Sequence, residues 1–122
     1  MKDMGRLMGE WLETYNFNQV ATIRPHYKMK EHQASKIAKR LTKHKSVDLV
    51  FIALEPDRYD SMKHAHVLFK ATGEWNRRRL ASEIGLNPKA IPFCQEIVNR
   101  GEIEVYCSKY AYRSWSFHDI YY

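Results

Sequence analysis

The chain has 122 residues, one domain's worth, and is long enough to bury a hydrophobic core without disulfide or metal staples. Lys and Arg number 20 against 14 Asp and Glu, and the resulting net charge of +6 favours an anionic partner, of which nucleic acid is the commonest. A mean hydropathy of −0.60 and the lack of any long apolar run exclude a transmembrane helix, and two cysteines, Cys94 and Cys107, make no disulfide framework.

The opening MKDMGRLMGEW has no continuous apolar stretch and does not read as a secretory signal. With the cysteine usage, this gives a reducing, cytoplasmic setting as the expectation. Met4, Leu7, Met8, Trp11 and Leu12 share one face of a short amphipathic helix over 4–12. FNQVATIR, residues 17–24, reads as a strand ended by Pro25. Over 31–45, Ala34, Ile37, Ala38 and Leu41 form a narrow apolar stripe, with Lys36, Lys39, Arg40, Lys43 and Lys45 around it, as in a helix with a basic outside. VDLVFIAL at 47–54 is a buried strand, 55–63 a polar connection, and HAHVLFK at 64–70 a second strand antiparallel to the first. Trp75, Leu80 and Ile84 give helical spacing over 73–84, with Gly85 as its C-terminal stop. AIPFCQEIV at 90–98 reads as a strand in which Pro92 indicates an edge or a bulge. Periodicity leaves 102–113 open between strand and helix, and the aromatic 114–122 is strand-like. With five Gly and four Pro, nothing reads as an interdomain linker, so residues 1–122 are expected to form a single domain. The order β-α-β-β-α-β predicts an α+β, ferredoxin-like core in which the first and third strands lie side by side.

On that core, His64 and His66 project from one face of a central strand, because residues i and i+2 share a side. Two imidazoles so placed can converge on one divalent ion, although two surface or hydrogen-bonded histidines are the plainer account of the spacing. Glu55, at the end of the preceding strand, supplies a third ligand, with Asp57 and Asp60 as substitutes. Two imidazoles and a carboxylate leave positions open for water and a phosphate oxygen, which suits Mg²⁺ or Mn²⁺ assisting phosphoryl chemistry. In YCSKY, Lys109 stands one helical turn after Tyr106. A lysine there would stabilise a phenolate that attacks phosphorus, although tyrosines in such a cluster also serve as core or stacking aromatics. Tyr110 has Arg113 in the same relation.

These pieces in this order resemble the HUH superfamily of single-strand endonucleases, specifically the rolling-circle replication initiators (Rep proteins) of plasmids and viruses. HAHVLF resembles their His-hydrophobe-His strand, and YCSKY their tyrosine-x-x-lysine helix. The resemblance spans residues 17 to about 113. It implies an antiparallel sheet, a helical 102–113, and a metal held by His64, His66 and Glu55. It further implies attack by Tyr106 on single-stranded or origin DNA, leaving a 5′-phosphotyrosine and a free 3′-hydroxyl for a polymerase, with Lys109 assisting. Tyr110, four residues on, leaves a two-tyrosine enzyme open. The absence of GxxxxGK[ST] means no helicase domain here, so unwinding falls to a host helicase or to DNA already single-stranded; a homodimer is compatible with this reading. Lys36, Lys39, Arg40, Lys43, Arg77, Arg78 and Arg79 are the expected DNA-binding cations. Two neighbouring readings are a single-tyrosine HUH transposase and a structural or regulatory protein with a degenerate site. A third, from another class, is a non-enzymatic RRM-like binder stacking bases on Phe17, Phe69 and Phe93.

Overall fold

The computed structural model describes residues 14–56, 63–98 and 118–122. The expected helix over 4–12, the acids Asp57 and Asp60, and the whole of 102–113 with Tyr106, Lys109 and Tyr110 lie outside the described residues.

The chain alternates β1 (Gln19–Ile23), α1 (Glu31–Thr42), β2 (Val47–Pro56), β3 (Lys63–Ala71), α2 (Arg77–Ile84), a short 3-10 turn (Pro88–Ala90), β4 (Phe93–Glu96) and β5 (His118–Tyr121). The strands form one five-stranded sheet in the order β4-β1-β3-β2-β5, every neighbouring pair antiparallel. The architecture is α+β, and the first four strands are compatible with a ferredoxin-like core. β3, carrying His64 and His66, is the central strand, and β1 lies beside it as expected. Among the described residues no helix is long and apolar enough to cross a membrane.

Strand alternation divides the sheet cleanly. One side presents Ala21, Ile23, Val50, Ile52, Leu54, Ala65, Val67 and Phe69 to the buried stripe Ala34, Ile37, Ala38 and Leu41 of α1 and to Leu80, Ala81 and Ile84 of α2. The other side carries a second apolar cluster of Phe17, Val20, Leu49, Phe51, Ala53 and Leu68. Both sides are therefore dry, which is why VDLVFIAL reads as a continuous apolar run rather than as an alternation. A register shift between Val47 and Leu49 puts the one exposed residue of that run, Asp48, at a bulge.

Local chemistry sets the helix ends. Gln33 Oε1 accepts the Lys30 backbone N–H at 2.8 Å, and buried Met29 and Ala34 bracket this first turn of α1 from before the cap and from the fourth position. α1 ends at Thr42, short of the expected 45, because the backbone N–H of Ser46 donates to His44 Nδ1 at 3.1 Å and folds 44–46 into a turn. α2 begins at Arg77 rather than 73. Asn76 takes the N-cap, its side chain accepting the Arg79 N–H at 2.9 Å, so Trp75 precedes the helix and packs edge-on to Phe69 and His44. Gly85 stops the helix as expected, with φ of 73° and the Leu86 N–H returning to the Ala81 carbonyl. β4 is an edge strand that starts just after Pro92, the position the proline indicates.

Candidate metal centre

Two adjacent strands build the centre. In β3, His64 and His66 fall on the side facing away from the helices, since their neighbours Ala65 and Val67 belong to the helix-side core. In β2, the Glu55 Cα is register-paired with that of His64, and Ala53 with His66. Directly opposed residues share a face, so the pairing delivers the carboxylate to both imidazoles. The small Ala53 leaves room beside His66 where a larger side chain would stand.

Glu55 Oε2 lies 3.6 Å from His64 Nε2 and 3.4 Å from His66 Nε2, and the two rings meet edge-to-face with centroids 4.7 Å apart. One ligand atom from each of the three residues lies within 4.8 Å of the others. Ligands of one ion held at about 2.1 Å stand roughly 3 to 4 Å apart, so closure on an ion needs only small side-chain shifts. Both histidines are buried and the carboxylate is half-buried. Burial pushes His66 down to about 4. The Glu55 hydrogen bond and charge oppose this, while the charges of His64 and Arg24 deepen it. The imidazole is therefore neutral at physiological pH, the form in which it ligates a metal.

Two residues that sequence reasoning missed complete the surroundings. Thr22 of β1 is register-paired with His66, and its Oγ1 stands 3.4 Å from His66 Nδ1. Were Nε2 to bind a metal, the ring proton would sit on Nδ1 and would donate to Thr22 Oγ1, orienting the ligand. Arg24 continues the β1 alternation on the same side. It is exposed at the rim, and its charge reaches His66. The signal for both was the alternation in VATIR, which puts Val20, Thr22 and Arg24 on one side.

The basic residues are elsewhere. Lys36, Lys39 and Arg40 lie on α1 and Lys43 caps its C-terminal end, across the sheet from the triad. Arg77 is occupied in the fold, donating from Nε to the Ile91 carbonyl at 2.9 Å and from Nη2 to the Pro88 carbonyl at 3.0 Å. Arg79 stacks over Trp75, 4.1 Å from the ring centre, and donates to the Glu74 carbonyl. Arg78 is exposed. The base-stacking aromatics fare differently from expectation: Phe69 is fully buried on the helix side and Phe17 is 2% exposed, so neither offers a ring to a base, and only Phe93 is half-buried. The reason is that both sheet faces carry core. Cys94 also faces the helix-side core, where burial raises its thiol to about 11 and leaves it a packing group rather than a nucleophile.

Comparison with known protein families, curated proteins and solved structures finds no match to this chain.

Proposed function

We propose that this chain is a metal-dependent single-strand DNA endonuclease of the HUH type, a rolling-circle replication initiator on a ferredoxin-like βαββαβ core with an added N-terminal helix and a tyrosine-bearing helix. The observation that carries the reading is the Glu55, His64 and His66 cluster: an His-Ala-His strand at the sheet centre with a carboxylate in register on the next strand. Two nitrogens and one carboxylate oxygen favour Mn²⁺ over Mg²⁺, because imidazole is a poor ligand for the harder ion. When bound, such an ion polarises the scissile phosphate and offsets its developing charge.

The protein's own groups do the remainder. His64, His66 and Glu55 would hold the ion, with Thr22 orienting the His66 ring. The Tyr106 phenol loses its proton and its oxygen attacks phosphorus. The bond to the 3′ oxygen breaks, that oxygen leaves as a hydroxyl after taking up a proton, and the 5′ phosphate stays on tyrosine. The Lys109 ammonium, three residues after Tyr106 in YCSKY, favours the phenolate and the charged phosphate.

The test uses end-labelled single-stranded DNA with and without Mn²⁺, resolved on a denaturing gel. A covalent adduct that needs the metal, disappears in Tyr106→Phe and persists for the first cleavage in Tyr110→Phe is the expected result. An adduct mapped to Tyr110 overturns the assignment of Tyr106 as the nucleophile. No adduct under any condition refutes the endonuclease reading.

A further inference from the structure

The segment that joins β1 to α1 leaves the sheet at the end where the metal centre stands. Glu55, near the end of β2, is opposite His64, near the start of β3, and Ile23, the last residue of β1, is register-paired with Ala65. The chain that follows, RPHYKMK at 24–30, is pinned at both ends. The Arg24 backbone N–H donates to the Ala90 carbonyl at 2.6 Å and Pro25 is buried. Met29 is wholly buried, and the Lys30 N–H donates to Gln33 Oε1 at 2.8 Å. Between these anchors His26, Tyr27 and Lys28 stand exposed. Tyr27 is 43% exposed, one of three large hydrophobic side chains so placed among the described residues. A lone surface aromatic needs no explanation by itself. What singles out Tyr27 is its setting: the segment carries the cations Arg24, Lys28 and Lys30, no acid, and ends beside the centre. Arg24 lies three residues before Tyr27, so the two backbones are at most about 11 Å apart. The Arg24 charge in turn reaches His66.

We infer that Tyr27 is the base-stacking residue of the site: its ring stacks on one unpaired base of the single strand, while Arg24 pairs with a phosphate of the same strand at the rim of the metal centre. The inference rests on the nuclease reading and adds to it the group that holds a base. The sheet cannot supply that group from Phe17 or Phe69, since both are buried. Single-strand sites combine cations that follow the backbone with an aromatic face for a base, and the 24–28 segment offers both within one short loop. Its anchors at Pro25 and Met29 hold the loop before binding, so little conformational freedom is lost when a base stacks.

The experiment is a fluorescence-anisotropy titration of the full chain in EDTA, so that no strand is cut. The probes are labelled oligothymidylate and a labelled strand of equal length made of abasic sites. Tyr27→Ala should weaken binding of oligothymidylate about 5- to 100-fold and leave the abasic strand unchanged. Tyr27→Phe keeps the ring and should bind both strands as the wild type does. Arg24→Gln should weaken both strands alike and flatten the log–log salt slope by about 0.7, a slope that Tyr27→Ala should not alter. Equal losses on the two strands in Tyr27→Ala, or no loss on either, overturn the inference. That result with a metal-dependent adduct still forming removes the stacking role and leaves the nuclease reading intact. A base-dependent loss in Tyr27→Ala with no adduct under any condition refutes the nuclease reading and leaves Tyr27 as a stacking platform.

Discussion

Acidifying the metal-free protein should destabilise it through His66. The ring has an ordinary pKa of 6.5 in the unfolded chain and about 4 in the fold, chiefly because it is buried. A lowered pKa means that the fold favours the neutral ring. Above pH 6.5 neither state holds the proton and His66 contributes no pH dependence. Between 6.5 and 4 the unfolded chain takes up a proton that the folded chain refuses, so stability falls as pH falls. Each pH unit in that window costs on the order of 1 kcal/mol, with a ceiling of roughly 3 kcal/mol once pH passes below 4. Between pH 7.5 and pH 5 the loss from this residue is about 2 kcal/mol, a large share of a small domain's stability. Urea unfolding followed by tryptophan fluorescence, at several pH values and in EDTA, measures it. His66→Gln is the reference, since it fills a similar space without titrating, and the difference between the two curves isolates the ring. A difference that stays flat from pH 7.5 to 5, or that grows in favour of the wild type on acidification, would refute the reasoning.

Three further outcomes follow from the geometry. Thr22→Val keeps the shape but removes the oxygen 3.4 Å from His66 Nδ1, and calorimetric Mn²⁺ titration should show affinity falling about 10- to 100-fold with the fold unchanged. Arg24→Gln removes a charge that depresses His66, so the His66 ring should titrate at a higher pH by NMR, and single-stranded DNA should bind more weakly. Gly85→Ala forces a side chain onto a φ of 73° and into the Arg40 guanidinium, and should cost more than about 1 kcal/mol in urea unfolding.

The sequence makes the centre legible because its two rules are local. Histidines two apart on a strand share a face, and a carboxylate ending the preceding antiparallel strand returns to meet them. Glu55 opposite His64 bears this out. Thr22 and Arg24 were not legible in the same way. Alternation in VATIR gives their common face, but which strand β1 lies against, and in what register, is decided by contacts 44 residues away in the chain. Phe69 misled for a related reason. An aromatic on a central strand stacks bases only from an open face, and here one face packs on two helices while the other buries Phe17, Val20 and Leu68. The Trp75 spacing overextended α2 because helical periodicity carries no information about Asn76, whose side chain captures the Arg79 N–H and starts the helix after the tryptophan. The basic residues were legible as charge but not as position: packing of Ala34, Ile37 and Leu41 turned the lysines of α1 away from the metal side.

The most direct measurement of the central claim is electron paramagnetic resonance of Mn²⁺ titrated into the protein, with electron-nuclear detection of nitrogen coupling. The account predicts one ion per chain coupled to two imidazole nitrogens, one coupling lost in His64→Ala, both lost in the double variant with His66→Ala, and weak binding in Glu55→Ala. An ion that binds without nitrogen coupling, or that binds the double variant as tightly as the wild type, would contradict it.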